Sequence, residues 1–132
     1  MGYRDFGNRF RGNQELAAEY NTEHRLGAIR RQPVEDSDFP SGIYPANATD
    51  YLIAITELLG ARTIQLPNAT QLQFDYRFWI CDETGTANSN NVTVLPHVGQ
   101  TINGGASHVI NSNFGNVLLY TDRENWFILS SR

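Results

Sequence analysis

Residues 101–129 read TINGGASHVINSNFGNVLLYTDRENWFIL, and their pattern decides the fold class. Apolar and polar residues alternate, the signature of strands with one face turned inward. Asn103-Gly104-Gly105 lies between two short alternating runs, and such residues suit the positive φ that a tight hairpin turn demands. The runs NVLLYTD and NWFILSS follow, separated by the turn-like TDREN. Towards the N-terminus, DYLIAITE, RTIQLP, LQFDYRFWICDE and NVTVLP show the same strand character. In LQFDYRFWICDE a period of two puts Phe74, Tyr76, Phe78 and Ile80 on one face. Strands recur roughly every ten residues with turn chemistry between them, which predicts a sandwich or barrel. The expectation is a mainly β domain over residues 36–132, an antiparallel β-sandwich or jelly-roll-like fold.

Several of these strands are apolar on both sides. Val117 and Leu119 oppose Leu118 and Tyr120, while Trp126 and Ile128 oppose Phe127 and Leu129. A domain this small cannot bury both faces of a sheet by itself, so the second face is expected to meet another copy. Leu118, Tyr120, Trp126 and Ile128 are the residues expected at that interface. Trp126 also suits the core, where strand tryptophans usually sit. Trp79 suits a core, a seam or a binding platform.

Composition bounds the rest. Of 132 residues, 40% are hydrophobic and 11% aromatic, enough for a packed core and unlike a disordered chain. No apolar run approaches the ~20 residues that cross a bilayer. The start, MGYRDFGNRFRGNQE, lacks the apolar stretch of a signal peptide, so synthesis in a cytoplasm is expected. All ten basic residues are arginine. Residues 1–35 carry six arginines against five acids, a net of +1; residues 36–132 carry four against nine, a net of −5, which together give the total of −4. An acidic globular part is a poor partner for nucleic acid, whose binding rests on neutralising phosphates. Arginine without lysine suits planar contacts with protein carboxylates and carbonyls. Residues 1–35 are accordingly read as an extended docking arm, with Arg4, Phe6, Arg9, Phe10 and Arg11 as its contact residues. Within it, NQELAAEYNTEHR at 13–25 can form a short helix, with Asn13 as N-cap and Gly27 as stop. Its apolar stripe is thin, so it is marginal alone.

Candidates for chemistry are few. His97 and His108 are the histidines of the β part, and Asp82 and Glu83 its adjacent acids. A metal site needs three or four converging ligands, and their spacing shows no such set. Ser107-His108 resembles a nucleophile–base pair, but neighbours on one strand point to opposite faces. Asp82 with Gly85 and Thr86 reads as turn chemistry, a carboxylate bonding its own backbone; Asp50 reads as a cap. The sequons Asn47-Ala48-Thr49, Asn68-Ala69-Thr70 and Asn91-Val92-Thr93 read as turns rather than glycan acceptors. The Asn-rich loops at 88–91 and 111–113 can offer amides to a sugar, although Asn in turns usually serves its tolerance of positive φ. Cys81 alone makes no internal disulfide, and it reads as a small apolar strand residue. No metal and no cofactor is expected, and no catalytic residue is assigned.

The ordered series TDYLIAIT, GARTIQLPNAT, FWICDETGTANSNNVTVLP, GQTINGGASHVINSNFGNVLLYTD and NWFIL resembles a β-rich domain of tailed-bacteriophage virion proteins, of the tail-fibre and capsid-decoration type. The shared features are a Thr-Ile-x-Leu-Pro strand, an Asp-x-x-Gly turn before an Asn-rich strand, an Ile-Asn-Gly hairpin and a closing Trp strand. The resemblance covers residues 49–130. It departs at the aromatic QLQFDYRF and at Asp122-Arg123-Glu124-Asn125, where glycine is usual. It implies a homotrimeric, non-enzymatic virion component. With so short an arm, a capsid decoration (cement) protein bound to the major capsid protein is the expectation, with a small tail-fibre or tail-tip protein binding a host glycan as the alternative. No membrane partner is expected, and a cytoplasmic sugar-binding or enzymatic β-domain is the reading from another class.

Overall fold

A computed structural model describes residues 30–132. The arm contacts Arg4, Phe6, Arg9, Phe10 and Arg11 and the helix expected at 13–25 lie outside the described residues. The strands are β1 (Arg31–Val34), β2 (Ile43–Pro45), β3 (Leu52–Ile55), β4 (Arg62–Gln65), β5 (Arg77–Asp82), β6 (Val92–Leu95), β7 (His108–Ile110), β8 (Asn116–Thr121) and β9 (Trp126–Ser131). They form a five-stranded sheet, β1-β3-β5-β8-β9, and a four-stranded sheet, β2-β4-β6-β7. The β class of the sequence reading stands, and the paired sheets around one core are sandwich-like.

The pairing corrects the antiparallel expectation. From β1 to β6 the chain alternates between the sheets, and within each sheet the successive strands run parallel. The chain therefore winds in coils, each passing once through either sheet. Parallel neighbours need a long crossover, and here the strand in the opposite sheet supplies it without any helix. Only the last part pairs antiparallel: β6 with β7, β5 with β8, and β8 with β9. A meander and a coil both need a turn every ten residues or so, so strand spacing does not tell them apart.

Successive coils repeat one turn. Asn47 Oδ1 accepts the Thr49 N–H at 2.9 Å after β2, and Asn68 Oδ1 accepts the Thr70 N–H at 3.0 Å after β4. Two of the three sequons are thus the same Asx turn on adjacent coils; the third, Asn91-Val92-Thr93, opens β6. The ladders run on past the strands, with Ala46 N–H to Gln65 O at 2.9 Å and Leu66 N–H to Leu95 O at 2.8 Å.

Two boundaries move. β1 belongs to the five-stranded sheet, so residues 31–35, read as the end of the arm, lie in the domain. β5 begins at Arg77, because Asp75 has φ +62° and breaks the extended run. Phe74 is therefore not in the row with Phe78 and Ile80; it is 69% exposed beneath the Arg123 guanidinium, 5.1 Å from its ring centre.

The core lies between the sheets. Ile53, Ile55, Phe78, Ile80, Val117, Leu119 and Trp126 come from one sheet, and Ile64, Val92, Val94 and Ile110 from the other. Trp126 is fully buried, its ring centre 5.6 Å from that of Phe78. Burying a side chain of this size stabilises by about 2–3 kcal/mol through apolar transfer alone. One ion pair joins the interior: Arg62, 4% exposed, donates to the Asp36 carboxylate and, at 3.2 Å, to Phe39 O, with its guanidinium over the Phe39 ring.

The expected hairpin at Asn103-Gly104 is a tight turn with φ +50° and +79°, closed by Ile102 N–H to Gly105 O at 2.9 Å. It flanks a single bridge rather than two strands, because its first arm turns aside onto β9. There Thr101 O accepts the Trp126 N–H at 2.8 Å, and Asn103 Oδ1 accepts the Ile128 N–H at 3.0 Å.

Gly115 tests this packing. A Cβ there meets Arg132 O and Ser112 O, each at 2.7 Å, and Ile110 Cγ2 at 2.8 Å. Two of those atoms are backbone and cannot swing away, so Gly115→Ala is expected to cost about 1–3 kcal/mol. Urea unfolding followed by Trp126 fluorescence measures it; an unchanged midpoint would show that the β7–β8 crossing is looser than described.

Candidate interaction surface

The outer face of the five-stranded sheet can be read from its registers. Arg31, Leu52, Trp79 and Leu118 form one row across β1, β3, β5 and β8. Arg77, Tyr120 and Phe127 form another across β5, β8 and β9. Pro33, Ala54, Cys81 and Asn116 form a third. Side chains alternate across a sheet, so while Phe78, Ile80, Val117 and Leu119 enter the core these rows point away from it. Leu52, Trp79, Leu118, Tyr120 and Phe127 are each only half-buried.

The bulge between Leu118 and Leu119 adds to this face. Leu118 pairs with Ser130 and Leu119 with Ile128, so Leu129 has no cross-strand partner and stands 54% exposed. Beside it lies a depression of about 240 Å³ lined by Asp75, Arg77, Tyr120 and Leu129. The Tyr120 and Phe127 rings lie 5.5 Å apart on the same surface, and the Trp79 indole N–H donates to Asn116 Oδ1 at 3.3 Å. At the far edge, Arg31 and Glu83 form a two-bonded pair, with Arg31 Nε 2.9 Å from the carboxylate. That bond and charge raise the Arg31 pKa and lower that of Glu83.

The four residues expected at an interface divide. Leu118 and Tyr120 lie on this outer face. Trp126 is fully buried in the chain's own core, and Ile128 packs against that core. Register explains the division: Trp126 lies opposite Thr121 and Ile128 opposite Leu119, both inward residues of β8, whereas Leu118 and Tyr120 alternate with them and face out. Trp79, Phe127 and Leu52 are the face residues that the sequence reading did not assign; the registers Leu52–Trp79–Leu118 and Tyr120–Phe127 supply them.

The polar candidates are engaged in structure. Asp82 is 2% exposed at the end of β5. Its carboxylate accepts N–H bonds from Thr84 (2.9 Å), Gly85 (3.2 Å), Ala87 (2.9 Å) and Phe114 (3.1 Å), and the Thr84 hydroxyl. Burial pushes its pKa up, but these hydrogen bonds outweigh burial and hold it below the usual carboxylate value. Asp50, also buried, accepts from Tyr44 Oη at 2.9 Å and Asn47 N–H at 3.2 Å; burial, then this carboxylate, raises the Tyr44 pKa. Cys81 is half-buried on the outer face, and burial with the Glu83 charge pushes its thiol up to about 11, which leaves it unreactive at neutral pH.

His108 opens β7 in the other sheet, and burial lowers its pKa. Ser107 precedes the strand and is exposed, whereas His108 is half-buried. Among the described residues no three His, Cys, Asp or Glu side chains converge as metal ligands. The loops at 88–91 and 111–113 do meet. There Asn88 N–H donates to Asn113 Oδ1 at 2.9 Å and Asn88 Nδ2 reaches Asn111 O at 3.4 Å, while Asn90 Nδ2 donates to Leu58 O at 3.0 Å. The departure at Asp122-Arg123-Glu124-Asn125 also has a physical account. Arg123 takes φ +75°, and Asp122 Oδ1 accepts the N–H groups of Glu124 and Asn125, each at 2.8 Å. The carboxylate supports a backbone that glycine would otherwise relax.

No protein-family model matches the chain, and a search of curated proteins returned no match.

The Asp82 carboxylate sets an acid limit on stability. Its pKa is depressed in the folded state, so its contribution is complete above the ordinary carboxylate pKa and is lost as pH falls through the folded value. Urea midpoints are expected to fall from about pH 4 downward. Asp82→Asn should lower stability at pH 7 by about 2–4 kcal/mol and flatten the acid limb, because fewer acceptors then face the same donors. An acid limb as steep in the variant as in the parent would assign it to other groups.

Proposed function

We propose that this chain is a non-enzymatic structural subunit that acts by docking onto other proteins. The observation that supports the reading most directly is the apolar outer face of the five-stranded sheet. Five half-buried large side chains and the protruding Leu129 lie on one surface of a single small domain. Surfaces of that kind mark protein contacts. The groups that might have done chemistry, Asp82 and the Asn side chains, are instead bonded into turns and crossings.

The setting is proposed from the resemblance: the virion of a tailed bacteriophage, with the chain as a capsid decoration protein that stabilises the assembled shell. A ligand that binds only the assembled state stabilises it by linkage. In this reading Arg4, Arg9 and Arg11 meet shell carboxylates or carbonyls, and Phe6 and Phe10 fill shallow pockets. The second reading, a tail-tip protein that binds a host glycan, draws on the meeting of the 88–91 and 111–113 loops. The bonds between those loops favour the first reading, because an amide already paired has less to offer a sugar.

Particle stability and host adsorption separate the readings. Arg9→Ala with Arg11→Ala is expected to cut retention on virions at least tenfold, to lower the temperature at which the particles release their genome, and to leave adsorption to host cells unchanged. Substitutions at Asn88 and Asn113 should alter neither. Loss of adsorption with the loop variants, together with shell stability indifferent to the arm, would replace the decoration reading by the tail-tip reading.

A further inference from the structure

We infer that the outer face of the five-stranded sheet is covered by a second copy of this chain, with Trp79, Leu118, Tyr120, Phe127 and Leu129 at the centre of the contact. The inference rests on the docking role proposed above and names the partner at its principal surface. Three properties of the face select a copy of itself over an unrelated protein.

The first is charge. Asp75 and Arg77 line one depression, yet among the described residues neither has an ion-pair partner. A neighbouring copy can offer its arginine to this aspartate and its aspartate to this arginine. In the lower dielectric of such a contact the opposite charges attract more strongly than in water and fix which surfaces meet.

The second is shape. The depression of about 240 Å³ adjoins the unpaired Leu129 of the bulge. A projection beside a recess on one surface is the self-complementary arrangement that symmetric contacts need.

The third is the balance of the face within an acidic chain. The protein carries a net charge of −4, so copies repel at most approaches. The outer rows hold two arginines, Arg31 and Arg77, and the adjoining acids are Glu83 and Asp75, so this face presents no net charge. Two copies can close there without like-charge repulsion. The buried aromatic residues then supply the attraction, since Trp and Tyr carry much of the binding energy of interfaces.

The test uses the full chain. Sedimentation equilibrium across a concentration series gives the mass and the dissociation constant, and Trp79 emission follows the burial of the face. The expected result is a dimer that loses affinity by on the order of tenfold or more with Tyr120→Lys. Leu129→Asp, at an exposed position that the fold does not need, should do the same with unchanged thermal unfolding of the monomer. Arg77→Glu should weaken association, and Asp75→Arg combined with it should restore part of the loss. A monomeric parent chain at all concentrations would overturn the inference, as would an oligomer indifferent to Tyr120→Lys and Leu129→Asp. Failure here is separable from failure of the decoration role. A monomer that still binds virions leaves the docking role intact, and an oligomer that ignores them leaves this contact intact.

Discussion

Two passages of the chain between the sheets are held at one point, the carboxylate of Asp82. β5 ends there, the 83–91 segment leaves for β6 in the opposite sheet, and the 111–115 segment returns from β7 to β8. Asp82 accepts N–H groups from both passages: Thr84, Gly85 and Ala87 on the outward one, Phe114 on the return. Without this acceptor the buried Ala87 N–H would carry a desolvation penalty of about 1–3 kcal/mol, and the three part-buried donors smaller ones. The bond to Phe114 also sustains a backbone that a bulky residue avoids, φ +58°, and sets its ring over Gly85. That anchor ties the outgoing and returning crossings together at the end of β5, beside the start of β8.

How much of this was legible in the sequence depends on the range of the interaction concerned. Strand and turn positions are local properties, and DYLIAITE, RTIQLP, NVTVLP, NVLLYTD and NWFILSS all contain the strands they suggest. Pairing is not local. A period of two says which side chains share a face and nothing about which strand lies alongside, so coil and meander look alike. One sequence signal did distinguish them. Asn-Ala-Thr recurs at 47–49 and 68–70, and its two copies make the same turn on adjacent coils. Read one at a time as turns, they hide that repeat.

The surface was half legible for a similar reason. Leu118 and Tyr120 alternate cleanly with Val117 and Leu119, and the structure keeps them on opposite faces. On β9 the alternation holds from Trp126 to Ile128, and the register with Thr121 and Leu119 sends those two to the core; the bulge that follows leaves Leu129 outside and without a partner. An unpaired residue is a property of two strands together, and no pattern within NWFIL reveals it. Trp79 was ambiguous because its strand carries apolar residues on both faces; only its register with Leu52 and Leu118 assigns it outward. Aspartate at position 75 marked the break in LQFDYRF, but aromatic alternation on either side outweighed it in the reading.

The way the edges are closed bears on how such a domain can associate. A β-sheet can join another molecule by adding a strand at an edge or by packing a face. Here the edge route is obstructed at both sides of the larger sheet. β1 contains Pro33, which has no N–H to offer, and the opening stretch of β9 is bonded by residues 101–103. In the smaller sheet β2 ends on Pro45, and β7 spans only His108–Ile110. Strand addition propagates without limit, since each added copy exposes a new edge, whereas face packing is consumed by the contact it makes. A sheet with blunted edges and an apolar outer face therefore favours assemblies of fixed size, the behaviour that a subunit placed at defined positions on a larger particle requires.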